Sequence, residues 1–330
     1  MMHFTTLFDS YYLDKALCMY RSLEHVTEDF SLYIFCFDAK SKEVLEAENL
    51  KHAVLLSHED LEKAFPKLLE LKKERSKAEY CWTCTPASIE YVLTNYNVPH
   101  CVYIDADLYF FADPKVLLAE AEGFHTIITP HRFTKSLFDQ RHLKRSGKYC
   151  VEFNYFDQSK EAREALTWWR EQCFEWCYHL YEPERMGDQK YLEKFPSLFQ
   201  GVHELTHLGG GVAPWNLKQY EVVPGEDITL QEKSSGKTFP LVFYHFQNLR
   251  YLSERKVNAS SGTHHKPTKD AIYVPYLREI EACRKTLKKY GVTFSVKKVY
   301  SSNKFIAFLQ GNVLRFKVRS LSDIYDLDKI

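Results

Sequence analysis

Val102-Tyr103-Ile104-Asp105-Ala106-Asp107-Leu108-Tyr109-Phe110-Phe111 sets two acids, two positions apart, in a frame that is otherwise apolar or aromatic. An apolar run of this kind reads as a buried strand. Side chains at i and i+2 of an extended chain share one face, so the sequence predicts Asp105 and Asp107 facing one small volume. Two buried carboxylates repel unless a cation stands between them or one keeps a proton. Hard oxygen donors of this type suit Mg²⁺ or Mn²⁺ carrying phosphate oxygens. The expectation is a metal–diphosphate site at the end of a central strand. The plainer alternative, a satisfied turn, has to account for acids kept in an apolar setting without a cationic partner.

Outward from this stretch, apolar runs at 3–7, 32–37 and 53–56 read as strands. The segments 12–25, 41–48 and 59–74 read as helices, with Leu13, Ala16, Leu17, Tyr20 and Leu23 at helical spacing. Strand–helix alternation predicts an α/β fold, a mostly parallel central sheet flanked by helices. Cys81-Trp82-Thr83-Cys84-Thr85-Pro86 is expected to precede a helix through Leu93. Further helices are expected at 115–122, 160–181 and from Gly187, and strands at 124–129 and 149–156. The basic segment 131–148 reads as a loop or short helix. Late strands at 220–223 and 241–246 are expected to be joined by a turn at Ser234-Ser235-Gly236. Past residue 255 the pattern changes to a polar stretch, a helix at 274–290 and a basic, apolar tail at 296–318. The expected division is a main domain over 1–255, split near residue 122 into a nucleotide half and an acceptor half, and an appendage over 256–330.

The chain has 330 residues, with 44 basic against 44 acidic, so no global field favours nucleic acid. Residues 1–6 hold no basic stretch followed by an apolar run, and no segment approaches the roughly 20 apolar residues of a membrane span. The expected location is cytoplasmic; the tail reads first as a packing appendage, with peripheral contact at the inner membrane surface as the alternative. Nine cysteines, several in apolar segments, read as reduced thiols. Zinc at Cys81/Cys84 or Cys173/Cys177 is disfavoured because the second pair is one turn apart in a Trp-rich helix. Asn258-Ala259-Ser260 matches a glycosylation sequon and is read as accidental.

Several other side chains are candidates. His245 ends the apolar run Leu241-Val242-Phe243-Tyr244-His245-Phe246; alone it reads as a core histidine, and beside two carboxylates as a third metal ligand. Asp188, in Gly187-Asp188-Gln189, is either a helix cap or a carboxylate beside the reaction centre. Arg132 is the preferred cation of the basic segment for a leaving diphosphate. Thr5, Thr6 and Asp38 belong to early strand ends, where α/β sheets bind nucleotides. Gly210, within Gly209-Gly210-Gly211, permits close backbone approach to a ligand. A phosphatase of the haloacid-dehalogenase type is disfavoured, since Tyr109 stands at the fifth motif position and the first acid is not on the opening strand.

Taken in order, these pieces resemble the GT-A nucleotide-sugar glycosyltransferases, in particular the family 8-like enzymes of bacterial cell-surface polysaccharide and lipopolysaccharide synthesis. The resemblance covers about residues 3–250. It rests on Phe4-Thr5-Thr6-Leu7, Arg21-Ser22-Leu23, the Asp105-Ala106-Asp107 motif, Phe153-Asn154, Gly187-Asp188-Gln189, Pro214-Trp215-Asn216-Leu217 and Tyr244-His245-Phe246. It implies a GT-A fold, a nucleotide-diphosphate sugar as donor and a glycan or lipid-linked acceptor. It further implies Mn²⁺ or Mg²⁺ on Asp105, Asp107 and His245, Asp188 and Asn154 in catalytic roles, and retention at the anomeric carbon. Family 8 places a glycine and then Lys-Pro-Trp after the histidine. This chain reads Phe246-Gln247-Asn248-Leu249-Arg250, so Arg250 is expected in the lysine's place. The competing functions are a catalytically silent binder of sugar nucleotides or glycans, and a sugar nucleotidyltransferase. The latter lacks the glycine- and cation-rich opening loop that would cradle a triphosphate.

Overall fold

The computed structural model describes residues 1–259, 265–294, 296 and 324–330. The first half alternates strand and helix. β1 (Met2–Phe8) leads into α1 (Leu13–Val26), β2 (Phe30–Cys36), α2 (Ala39–Glu48) and β3 (Ala53–Ser57). Then come α3 (His58–Ala64), α4 (Leu68–Glu74), α5 (Lys77–Asn95), β4 (His100–Ile104) and the short β5 (Leu108–Phe110). The second half has α6 (Lys115–Leu118), β6 (Thr126–Pro130), α7 (Leu137–Ser146), β7 (Tyr149–Asp157), α8 (Lys160–Glu175), α9 (Phe195–Leu198) and β8 (Val202–Glu204). It closes with β9 (Tyr220–Val223), β10 (Thr229–Glu232), β11 (Thr238–Pro240), β12 (Phe243–His245), β13 (Arg250–Ser253), β14 (Lys256–Asn258), α10 (Lys266–Lys288) and β15 (Ile324–Asp326).

A seven-stranded sheet in the order β3-β2-β1-β4-β7-β6-β8 forms the centre. Pairings are parallel except where β7 runs against β4 and β6. Strands β1 and β2 are buried along nearly their whole length, as parallel strands covered on both faces must be. Alternation along β1 sends Phe4 and Phe8 to one apolar layer with α1, α2 and α10, and Leu7 to the other with α3, α4, α5 and α8. Outside the sheet, β12 pairs antiparallel with β5, and β9–β11 and β13–β15 form small sheets.

Several boundaries differ from the sequence reading, each for a local reason. The charged segment 59–74 breaks at Phe65-Pro66 into α3 and α4. Helix α5 begins nine residues before Pro86 and runs through it. A capping box nucleates it: Glu79 accepts from Ser76 N at 2.9 Å, and Glu79 N donates to Ser76 Oγ at 3.4 Å. Proline inside a helix costs about 3 kcal/mol, which buried packing of Ala87, Ile89 and Val92 offsets. Helix α8 stops at Glu175, six residues early, where buried Arg75 donates to the carbonyls of Cys173 at 2.7 Å and Phe174 at 2.9 Å. The basic segment holds the ten-residue α7. The Ser234–Gly236 turn joins β10 to β11, two strands the sequence reading missed. Gly187 begins no long helix; a 3₁₀ turn over Gln189–Lys194 and then α9 follow. The helix expected at 274–290 begins eight residues earlier. The sequon's Ser260 and most of the basic tail, 297–319, lie outside the described residues.

Candidate metal and nucleotide-sugar site

At Ile104 the chain leaves the central sheet. Asp105 N donates to Glu152 O on β7 at 3.1 Å, and Leu108 N returns to Asp105 O at 3.3 Å. Asp105-Ala106-Asp107 is therefore a tight turn between β4 and β5, not the extended strand expected from the spacing. The two carboxylates still converge, because β5 aligns with β12 and sets His245 opposite Leu108. Phe246 N donates to Asp107 O at 2.9 Å and His245 N to Val212 O at 3.0 Å, so the turn is stitched to the histidine strand.

His245 is the hub. Its Nε2 lies 3.0 Å from Asp107 Oδ1 and 3.6 Å from Asp105 Oδ2. Its Nδ1 lies 2.5 Å from Oε2 of Glu152, a fully buried carboxylate. The Trp215 ring meets the imidazole edge-on, with centroids 5.5 Å apart. Ligand atoms of Asp105, Asp107 and His245 all lie within 4.8 Å of one another, as do those of Cys150, Glu152 and His245.

Charge explains how this cluster persists. Burial disfavours the charged imidazole, but the Asp107 charge and hydrogen bond, with Cys150 and Glu152, overcome it and hold His245 protonated well above the usual range. Burial would also raise Asp107; the His245 charge and hydrogen bond, with Lys15, keep it below the ordinary carboxylate range. Asp105 is pushed up to about 6, first by burial and then by the Asp107 and Glu152 charges, against the pull of His245. Asp188 rises to about 7 through burial and the Asp105 charge.

These groups floor a cleft of about 950 Å³ at the carboxyl ends of β1 and β4, the end at which open α/β sheets bind ligands. Tyr11, Tyr12 and Trp82 supply aromatic wall, and Lys15, Lys77 and Arg284 supply cations. Lys15 lies 3.7 Å from Asp107 Oδ2 and 4.3 Å from the Tyr12 ring centroid.

The structure brings Asp105, Ala106, Asp107, Asp188, His245 and Arg250 to this cleft. Asp188 stands at the N-cap position of the 3₁₀ turn at Gln189, without a side-chain capping bond. Thr5 and Thr6 do not reach the cleft. They are fully buried within β1, Thr5 Oγ1 donating to Tyr33 O at 3.2 Å, while the strand's end, Leu7 to Asp9, does reach it. Asp38 caps α2 at Ser41 N, 2.7 Å, and binds Ser10 Oγ at 2.6 Å. Asn154 is buried in mid-strand, its Oδ1 accepting from Thr129 N at 3.2 Å. Because β7 runs against β4, with Ile104 opposite Phe153, its beginning points to the cleft, and Cys150 and Val151 stand there instead. Arg132 spends its guanidinium on the carbonyls of Leu205, His207, Leu208 and Gly210. Gly210 packs where an added Cβ would meet Leu205 at 2.8 Å, away from the cleft. None of these six lines the cleft.

Sequence reasoning passed over Glu152 and Lys15. Glu152 carried the same signal as Asp105, an acid inside an apolar strand. Lys15 carried none, being one of many helical lysines.

No family model matches the chain. Among solved structures, the galactosyltransferase LgtC in complex with donor and acceptor sugar analogues superposes with a TM-score of 0.50, at 13% identity over 90% of this chain and 98% of that one. The bifunctional glycosyltransferase WbbM superposes with a TM-score of 0.51, at 12% identity over 89% of this chain and 52% of that one. The architecture is thus the GT-A fold of nucleotide-sugar glycosyltransferases. Within it, the chain belongs to the family of the uncharacterized protein YfnD of Bacillus subtilis (strain 168). It is 31% identical to YfnD over 284 residues, 84% of this chain and 88% of that one. The uncharacterized YfnF of the same organism is 29% identical over 273 residues, 81% of this chain and 86% of that one.

Proposed function

We propose that this protein transfers a sugar from a nucleotide-diphosphate donor to a glycan or lipid-linked acceptor of the bacterial cell surface, with a divalent cation. The observation that carries this reading is the convergence of Asp105, Asp107 and His245 on the floor of a 950 Å³ cleft in a GT-A fold. Two hard carboxylates and one imidazole suit Mn²⁺ or Mg²⁺. The buried Glu152 Oε1 has no hydrogen-bond partner among the described residues, which leaves a carboxylate oxygen of the cluster open to a cation. When bound, the cation would neutralise charge on the departing diphosphate.

The chain's own groups do the rest. Glu152 accepts the Nδ1 proton of His245 and fixes the ring's orientation, and a cation would bind at Nε2 in exchange for that nitrogen's proton. Lys15, held against Asp107, places an ammonium where diphosphate oxygens would enter. Arg250 offers a guanidinium at the mouth, in the position the family lysine would take. Tyr11, Tyr12 and Trp82 give flat surfaces for base and sugar. Asp188, poised near neutrality by burial, orients an acceptor hydroxyl or faces positive charge developing on the sugar. Retention at the anomeric carbon is proposed on the sequence resemblance alone.

The test is incubation with a panel of nucleoside-diphosphate sugars and Mn²⁺, scoring free nucleoside diphosphate. Wild type should release it at least slowly, and Asp107→Ala should not. Tight binding with equal inertness of both across the panel would sink the transferase reading and leave a binding protein.

A further inference from the structure

Helix α7 inverts the usual placement of side chains. Its acid, Asp139, is only 2% exposed, accepting from Thr134 N at 2.9 Å and pairing with Lys218 Nζ at 2.6 Å. Two of its three large apolar side chains stand in water: Leu137 is 85% exposed and Phe138 67%, while Leu143 is half-buried. Leu137 is the most exposed large apolar residue among those described. Adjacent apolar side chains held out by a helix anchored through its polar side mark a contact surface.

The exposed charge of the segment itself has one sign. Lys135, Arg141, Lys144, Arg145 and Lys148 are all exposed, and the segment's one acid is the buried Asp139. Among the described residues only Lys148 has an ion-pair partner, Glu204. The chain as a whole is neutral, so this is a local concentration of cations around two apolar side chains. That combination matches an anionic lipid surface, where cations meet headgroups and apolar side chains enter the acyl boundary.

The helix is also tied to the cleft. Lys190 Nζ donates to Lys144 O at 2.7 Å and Gln189 Nε2 to Ser146 O at 2.6 Å, and both donors directly follow Asp188. Ser146 itself lines the cleft.

We propose that α7, through Leu137, Phe138, Arg141, Lys144 and Arg145, docks the protein on an anionic phospholipid bilayer with the cleft beside the surface. The docking stands on the surface alone. That it delivers a lipid-borne acceptor to Asp188 rests on the transferase reading.

The experiment is co-sedimentation of the full chain with vesicles of phosphatidylglycerol and phosphatidylcholine at about 1:3, against phosphatidylcholine alone, without donor or metal. The wild type should bind the anionic vesicles preferentially and lose affinity as salt rises. Leu137→Ser with Phe138→Ser should lower partitioning by about 50-fold, as expected for two apolar side chains withdrawn from the acyl boundary. Arg141→Gln with Lys144→Gln should lower it about tenfold or more and flatten the salt dependence. Unchanged melting and circular dichroism establish that the variants fold, and the charge pair alone serves if the apolar pair does not. Failure of the wild type to prefer anionic vesicles, or binding by both variants equal to wild type, overturns the proposal. Because no turnover is measured, neither result bears on the transferase reading.

Discussion

The β5–β12 clasp and helix α7 break the same rule in opposite directions. The clasp keeps Asp107, Glu152 and His245 under cover, at 7%, 0% and 4% exposure. Helix α7 leaves a leucine and a phenylalanine in water. Buried charge is stable only when paired, and exposed apolar surface is maintained only at a cost in solubility. In the clasp the pairing is already present within the protein, through His245. At α7 Leu137 and Phe138 stay largely exposed, with Phe138 meeting the His142 ring of its own helix edge-on at 4.6 Å between centroids. The first region is complete enough to fold without its ligand, and the second is a surface shaped for something outside the molecule.

That contrast can be broken at either end. The largest effect is expected from Asp107→Ala, which removes a proposed metal ligand. Nucleoside-diphosphate release should fall at least about 10³-fold, as loss of several kcal/mol of charge stabilisation implies. Circular dichroism should show the fold retained; a variant of near-normal turnover would remove the clasp from the chemistry.

Arg132→Ala should act on stability instead. Four carbonyls lose a charged donor, at a cost of about 3 kcal/mol, read as a lower midpoint in urea. Lysine should not restore it, since an ammonium cannot fork to several carbonyls. Unchanged stability would return Arg132 to the list of ligand-facing cations.

Asp188→Asn sharpens the electrostatic half of the contrast. The folded chain holds the Asp188 proton up to about pH 7, whereas an unfolded chain releases it near 4. Between those values folding takes up a proton, so this group's contribution to stability falls as pH rises from 4 to 7. The asparagine variant, measured by thermal melting in chelator, should match wild type near pH 4 and exceed it by about 4 kcal/mol near pH 8. A constant difference between the two proteins across that range would contradict a buried, proton-holding carboxyl.

Glu152→Gln should weaken Mn²⁺ binding about 10- to 100-fold, as loss of the group orienting a ligand imidazole does. Calorimetric titration without donor measures it, and unaltered affinity would make Glu152 a bystander. The smallest effect belongs to the other region: Leu137→Ser with Phe138→Ser should change the melting free energy by less than about 0.5 kcal/mol, since exposed side chains contribute little to the fold.

The sequence exposed the clasp because burying an acid is costly, and Asp105 and Asp107 stand in an apolar frame that advertises the cost. The same signal marks Glu152, and a reading centred on adjacent acids overlooked it. Thr5, Thr6 and Asn154 stand off the cleft for a geometric reason: a motif says that a strand is near a site, but register and direction decide which residue reaches it. β7 runs backwards relative to β4, so its useful end is Cys150 rather than Asn154. Arg132 shows a second limit. Nothing local separates an arginine that meets phosphate from one that ties a glycine loop together. The parallel half of the sheet was legible from alternation; β10, β11 and the course of α5 through Pro86 were decided by tertiary packing.

The clasp also orders events on the ribosome. Asp105, Asp107 and Glu152 emerge early, while His245, 93 residues after Glu152, emerges late. Until β12 is synthesised, three acids face one another without the imidazole, and Lys15 and Arg132 are the cations near them. The nascent amino-terminal half therefore carries an electrostatic gap at its centre, and arrival of a single imidazole closes it. The late strand acts as a checkpoint: a chain truncated before residue 245 loses the proposed third ligand and, with it, the charge balance that lets the first two lie side by side.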